Sequence, residues 1–187
     1  MAKTKEQLLN ILDQFQLDEK VVSAEPFGNG HINDTLKVTN EKGEIKYVLQ
    51  RINHLIFTNV DMLQNNIHVV TTHIRKKLEE KGETDIDRKV LTFLPTKDGK
   101  KYYFDGDSYW RVCLFIPRSK SYEEVTPELS YEAGKAFGDF QTMLSDIPEG
   151  TLGETIPDFH NMEFRLKQLR DAVATNAAGR VAEVQYY

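Results

Sequence analysis

Phe27-Gly28-Asn29-Gly30-His31-Ile32-Asn33-Asp34 lies between two short strand patterns. Val21-Val22-Ser23-Ala24 comes before it and Thr35-Leu36-Lys37-Val38-Thr39 after it. Past the turn Asn40-Glu41-Lys42-Gly43 runs Tyr47-Val48-Leu49-Gln50-Arg51-Ile52. Two glycines at a strand-to-strand corner let the backbone approach a ligand closely and turn its N–H groups toward it. Taken alone, Gly-x-Gly between strands is more often an ordinary tight turn. The strands beyond the corner, and the cation on the second of them, give it weight.

A dinucleotide loop needs a helix after its glycines, and here a strand comes next. A Walker A loop needs Gly-Lys-Ser/Thr, which is absent. On the third strand Tyr47, Leu49 and Arg51 share one face, and Val48, Gln50 and Ile52 the other. An arginine closing an apolar face is costly unless it meets an anion or a carboxylate. Its planar guanidinium suits phosphate oxygens. Asp34 either fixes the shape of the loop through its neighbours' N–H groups or faces a ligand. His31, inside the loop, is open to the same two readings.

Around this centre the chain reads as α+β. Thr4-Lys5-Glu6-Gln7 is a capping box opening an amphipathic helix that carries Leu8, Ile11, Leu12 and Phe15. A long helix capped by Thr58 carries Val60, Leu63, Ile67, Val70, Ile74 and Leu78, and Gly82 stops it. Strands are predicted over 90–94 and 108–116, with a short one near Lys101-Tyr102-Tyr103-Phe104. From Pro127 the pattern is helical, with Leu129, Ala133, Ala136, Phe137, Phe140, Met143 and Leu144 on one expected buried face. A last helix is predicted from Ile156. Residues 1–117 therefore form an antiparallel sheet with one long helix, residues 118–187 form helices only, and the boundary is near Pro117.

Composition narrows the function classes. The 187 residues carry a net charge of −5 without a Lys/Arg run, which argues against nucleic acid held by a basic patch. The single cysteine, Cys113, permits no disulfide framework within one chain and reads as a small buried hydrophobe. The five histidines show no metal-ligand spacing. The chain has no signal-peptide pattern and no bilayer-length apolar run, so a soluble cytoplasmic protein is expected.

Gly28-Asn29-Gly30-His31-Ile32-Asn33-Asp34-Thr35, Leu49-Gln50-Arg51-Ile52-Asn53 and Glu154-Thr155-Ile156-Pro157-Asp158-Phe159-His160-Asn161 together resemble the phosphotransferase family of aminoglycoside phosphotransferases, choline kinases and N-acetylhexosamine 1-kinases, the last branch most of all. The resemblance implies a protein-kinase-like small lobe followed by the first helices of a helical lobe. It also implies MgATP and transfer of the γ-phosphoryl group to a hydroxyl of a small, sugar-like acceptor. Carried over, Gly28, Asn29 and Gly30 cover the phosphates and Arg51 stands for the small-lobe lysine. Leu49 packs on the adenine, Phe115 and Ile116 belong to the hinge, and His31 and Asp34 reach toward phosphates or substrate. Such an enzyme needs an aspartate in a pattern like His-x-Asp-x-x-x-x-Asn and a later metal-binding aspartate. Neither is in this chain, so the magnesium ligands are missing and no turnover is expected of these residues alone. The resemblance therefore implies the N-terminal portion of a kinase. A non-catalytic nucleotide-binding or regulatory module and an unrelated α+β interaction domain stay open. Self-association through unpartnered helices is a further expectation.

Overall fold

The computed structural model describes residues 3–28, 30–122 and 124–184. The chain divides into two compact units, one up to Thr155 and one from Ile156 on.

The first unit is built on an antiparallel sheet of six strands. Its elements are α1 (Lys5–Leu12), β1 (Val21–Pro26), β2 (Asp34–Asn40), β3 (Ile45–Ile52), α2 (Val60–Glu80), α3 (Ile86–Lys89), β4 (Phe93–Leu94), β5 (Tyr103–Phe104), β6 (Tyr109–Leu114) and α4 (Pro127–Leu144). The strands run β1-β2-β3-β6-β4, and β5 pairs with β6. The fold class is α+β.

The capping box forms as its sequence predicts: the Gln7 backbone N–H donates to Thr4 Oγ1 and Gln7 Oε1 accepts from the Thr4 N–H. The helix ends at Leu12 and the chain turns through Phe15. Leu8, Ile11, Leu12 and Phe15 are buried with Val38, Tyr47, Leu49, Trp110 and Val112 of the sheet. The β2–β3 hairpin is closed by Asn40, whose side-chain oxygen accepts the N–H groups of Lys42 and Glu44.

The long helix starts one residue later than expected. Asn59, not Thr58, is its cap, with Oδ1 accepting the Met62 N–H at 2.9 Å. Asparagine outranks threonine at this position. Ile52, Val60 and Leu63 form a second apolar cluster, and Ile74, Leu78 and Val90 a third, which Met143 and Leu144 of α4 join. The apolar face expected to be buried along α4 is instead largely open. None of its residues is buried, and Phe137 is 70% exposed. At its C-terminal end Met143 and Leu144 pack on the third cluster, and the Met143 carbonyl accepts from Lys77 Nζ of α2. The strand predicted over 90–94 shrinks to β4; Val90 is instead the C-cap of α3, its N–H donating to the Ile86 carbonyl.

Beyond α4 the chain is clipped back onto α2. Asn66 Nδ2 donates to the Gly153 carbonyl at 2.6 Å, and the Gly153 N–H donates to Asn66 Oδ1 at 3.0 Å. Replacing Asn66 by alanine leaves both partly buried backbone groups unpaired. The expected cost is about 2 kcal/mol, read as a lower urea midpoint. Gly153→Ala should cost less, because the atoms nearest its added Cβ belong to the flexible Met62 side chain, which has to shift.

The second unit contains α5 (Met162–Thr175) and a 3₁₀ turn (Val181–Glu183). Its helix begins at Met162 rather than near Ile156. Asn161 is the cap, accepting the Phe164 N–H at 3.0 Å, and Asp158 at φ 56° breaks the backbone before it.

Candidate functional site

The glycine corner is an extension of the β1–β2 hairpin. Phe27 N–H still donates to the Thr35 carbonyl at 2.9 Å, continuing the ladder. Gly28 then takes φ +78°, where a side chain would be strained. Gly30 does not need its glycine for conformation: its φ is not positive, and an added Cβ would lie 3.9 Å from the nearest atom. Asn29 lies outside the described residues. Asn33 Oδ1 accepts the Asn53 N–H at 2.9 Å, fastening the loop to the end of β3.

Asp34 and Arg51 face each other across the β2–β3 ladder. Asp34 Oδ2 accepts from Arg51 Nε at 2.6 Å and lies 2.5 Å from Nη2. Their side chains are 61% and 45% exposed, so the pair adds little stability. The partner that the arginine required is thus a carboxylate of the chain itself. Arg51→Ala should change the unfolding free energy by no more than about 1 kcal/mol, measured by urea titration.

Register divides the sheet into two chemically different faces. Asp34, Leu36 and Val38 pair with Arg51, Leu49 and Tyr47, which pair in turn with Trp110, Val112 and Leu114. This face carries the apolar cluster beneath α1. Leu49, expected against an adenine ring, is fully buried there and offers a ligand no surface. At the upper edge of the same face lies a cleft of about 710 Å³. It brings together Gly28, Gly30, Asp34 and Arg51, with Lys3 and Lys5 from the start of α1. Arg51 meets Asp34 there, Lys3 meets Asp105 at 2.8 Å, and Lys5 adds a further cation to the lining.

The other face carries Thr35, Val48, Gln50, Arg111 and Cys113. Phe115 continues it, since its N–H donates to the Lys46 carbonyl and keeps the alternation going. Phe27 belongs to this face too, and its ring meets that of Phe115 edge-on at 5.9 Å. The predicted site residues are therefore split. Gly28, Gly30, Asp34 and Arg51 share the α1-side cleft, while Phe115 is on the opposite face. Ile116 is half-buried beyond the end of β6, and His31 is exposed in the loop.

Three residues that sequence reading passed over stand out on the second face. Gln50 Nε2 donates to Thr35 Oγ1 at 3.0 Å, and Gln50 Oε1 accepts from Arg111 Nε at 3.0 Å. The Arg111 guanidinium stacks over Phe93, 5.3 Å from the ring centroid. Its Nη1 is buried without a hydrogen-bond partner, as is Nε2 of Gln64 on α2. Burial pulls the Arg111 pKa down, yet a guanidinium stays charged at any ordinary pH. Beside it, burial pushes the Cys113 thiol up to about 11, so the cysteine is a neutral neighbour.

Among the described residues, no group of three or more His, Cys, Asp or Glu side chains comes together to hold a metal ion. No helix among them is long and apolar enough to cross a membrane. No family model matches the chain.

Proposed function

We propose that this chain is the nucleotide-facing, N-terminal portion of an ATP-dependent small-molecule kinase, its acceptor a sugar-like hydroxyl. The order of elements carries the reading. A glycine corner joins β1 to β2, a cation-bearing β3 comes next, then the long α2, then β4 and a return to β6 beside β3. A kinase small lobe uses that order, with a loop over the phosphates, a basic residue on the third strand and a helix behind it. This is a likeness of architecture, so the site chemistry has to carry the function.

In this reading the backbone of the glycine corner covers the phosphates, and a cation on the sheet holds them. The nucleotide brings its own polyphosphate charge, and MgATP would supply the group to be transferred. Among the described residues there is no ligand set for the metal, and the sequence has no aspartate in a His-x-Asp-x-x-x-x-Asn pattern, so no chemical step is assigned to its residues. The expected result is weak MgATP binding by calorimetry and no phosphoryl transfer in an ATP-consumption assay. Turnover by these residues alone would sink the reading, and so would a complete lack of nucleotide binding.

The absence of the aspartate pattern favours a second reading, a nucleotide-binding or regulatory module without catalysis. The length of the parent reading frame separates the two. A continuation encoding His-x-Asp-x-x-x-x-Asn supports the kinase, and a natural stop near Tyr187 supports the module.

A further inference from the structure

A second cleft, of about 460 Å³, lies between α2 and the segment around β4. Gln64, His68, Thr71 and Arg75 enter it from α2. Their steps of three and four residues place them in one stripe of the helix. Ile67, Phe93 and Leu94 give the cleft an apolar wall, and Leu91 adds a side chain 46% exposed. No aspartate or glutamate is among the described residues that line it, whereas Arg75 and Lys101 are cations. The two cations differ in their pairing. Arg75 Nη2 donates to Asp87, which stands outside the lining, and to Thr92 Oγ1. Lys101 is exposed and meets no carboxylate among the described residues; its Nζ donates to Asn65 Oδ1 at 3.1 Å. One positive charge at the cleft is therefore without a counter-charge. The wall is unfinished in a second way. Gln64 is 3% exposed, and its Nε2 has no hydrogen-bond partner. An amide donor buried in that condition is costly to maintain.

We infer that this cleft is a second ligand site, and that its ligand is a small organic monoanion: one carboxylate on an apolar ring or chain. The volume suits such a molecule, since ligand pockets span about 300–1,000 Å³. The size of the charge follows from the pairing. Asp87 already neutralises Arg75, so a dianionic phosphate would bring more charge than Lys101 matches. A hydrocarbon without charge would leave the ammonium unserved. A carboxylate meets it through a charge-assisted hydrogen bond that solvent-side access allows. The ring or chain then covers Ile67, Leu91 and Phe93, removing apolar surface from water. No bond to Gln64 Nε2 is assigned, because that atom has almost no accessible surface; Gln64 is a reporter in the wall. The site is independent of the nucleotide reading, since it shares no lining residue with the cleft at the glycine corner. A bound ligand would touch α2 and β4 together and so favour the state in which the helix is docked beside the edge strand.

The probe is benzoate, with benzyl alcohol as its uncharged counterpart and acetate as the charge without the ring. Each is titrated into the isotopically labelled wild-type chain and followed by amide chemical shifts. Benzoate should give saturable shifts at the Gln64 side-chain amide and at the backbone of Thr92 and Lys101, with one Kd fitting all three. Benzyl alcohol and acetate should each bind at least about 3–10-fold more weakly, the loss expected of a partly exposed charged contact. Lys101→Gln should weaken benzoate by the same factor and leave the melting temperature unchanged, because Lys101 is exposed. Thr72→Phe, at an exposed lining position of α2, should block the cleft and abolish the Gln64 shift. Shifts that never saturate would overturn the site. So would saturable shifts confined to α4 or α5, whose exposed apolar residues compete for the ring. Undiminished binding by a folded Thr72→Phe variant would overturn the location. Benzyl alcohol binding as tightly as benzoate would overturn the choice of an anion, and so would unchanged affinity in Lys101→Gln. Should Thr72→Phe fail to fold, the wild-type shifts and Lys101→Gln still decide.

Discussion

Replacing Leu12 by alanine is expected to lower stability by about 2–5 kcal/mol, one of the two largest effects expected of a single substitution in this chain. Leu12 is fully buried between α1 and the sheet, in one cluster with Leu8, Ile11, Phe15, Leu49 and Trp110. Truncation removes apolar contacts from helix and sheet at once. The cavity left behind is walled by strands whose ladder resists collapse. A domain of this size is stable by only roughly 5–15 kcal/mol, so the loss is a large share of the total. The melting temperature should fall by roughly 4–20 °C. Asn10→Ala on the exposed side of the same helix is the control, with an expected change within about 0.5 kcal/mol. A Leu12→Ala loss below about 1 kcal/mol would mean that α1 is not docked on the sheet in solution. The substitution also bears on the cleft, since Lys5 and Leu8 line it from this helix and Lys3 from just before it.

Asp105→Ala is expected to be comparably damaging, through unpaired donors rather than a void. The Asp105 carboxylate accepts the N–H groups of Asp107 and Ser108 on one oxygen. On the other it accepts the Trp110 indole N–H at 2.9 Å and meets Lys3 at 2.8 Å. Ser108 and Trp110 are almost entirely buried. Alanine leaves two buried donors with no acceptor, at about 1–3 kcal/mol each. The same geometry sets a pH dependence. Burial alone would raise the Asp105 pKa, but the Lys3 ammonium and the donors of Ser108, Trp110 and Asp107 outweigh it and hold the carboxyl at about 2. A carboxyl depressed on folding stabilises the folded state above its unfolded pKa and loses that stabilisation as pH falls through the folded value. The wild-type urea midpoint should therefore drop between about pH 4 and pH 2, and the Asp105→Asn variant should lose this part of the drop. Asn retains an acceptor oxygen, so at neutral pH it should be less destabilised than Ala.

Much of this architecture was legible in the amino-acid order because it is decided locally. Thr4 and Gln7 cap α1 as their spacing predicts, since a capping box is complete within four residues. The three N-terminal strands start and stop within two residues of their patterns because alternation and the turn Asn40–Gly43 set them together. The site was less legible, for a geometric reason. Alternation shows that Leu49 and Arg51 share one face and Gln50 the other, but it does not say which face a distant helix will cover. α1 covers the face of Leu49 and Arg51, while Gln50 and Arg111 lie on the face that packs against α2 through Ile52. Arg111 itself was concealed inside the most apolar run of the chain, where it read as part of a buried strand. Its link to Gln50 spans 61 residues, a distance over which periodicity carries no information. The open face of α4 has the same origin: its spacing marks an apolar stripe, but spacing does not supply a partner.

The clip between Asn66 and Gly153 has a consequence for the making of the protein. Asn66 stands in for a strand partner, offering one peptide unit both an acceptor and a donor, but that peptide lies 87 residues downstream. At translation rates of roughly 5–20 residues per second, a newly made α2 waits roughly 4–17 s before its latch emerges from synthesis. During that interval the amide of Asn66 must be served by water. The helix is thus completed twice, first by its own backbone and later by the arrival of Gly153.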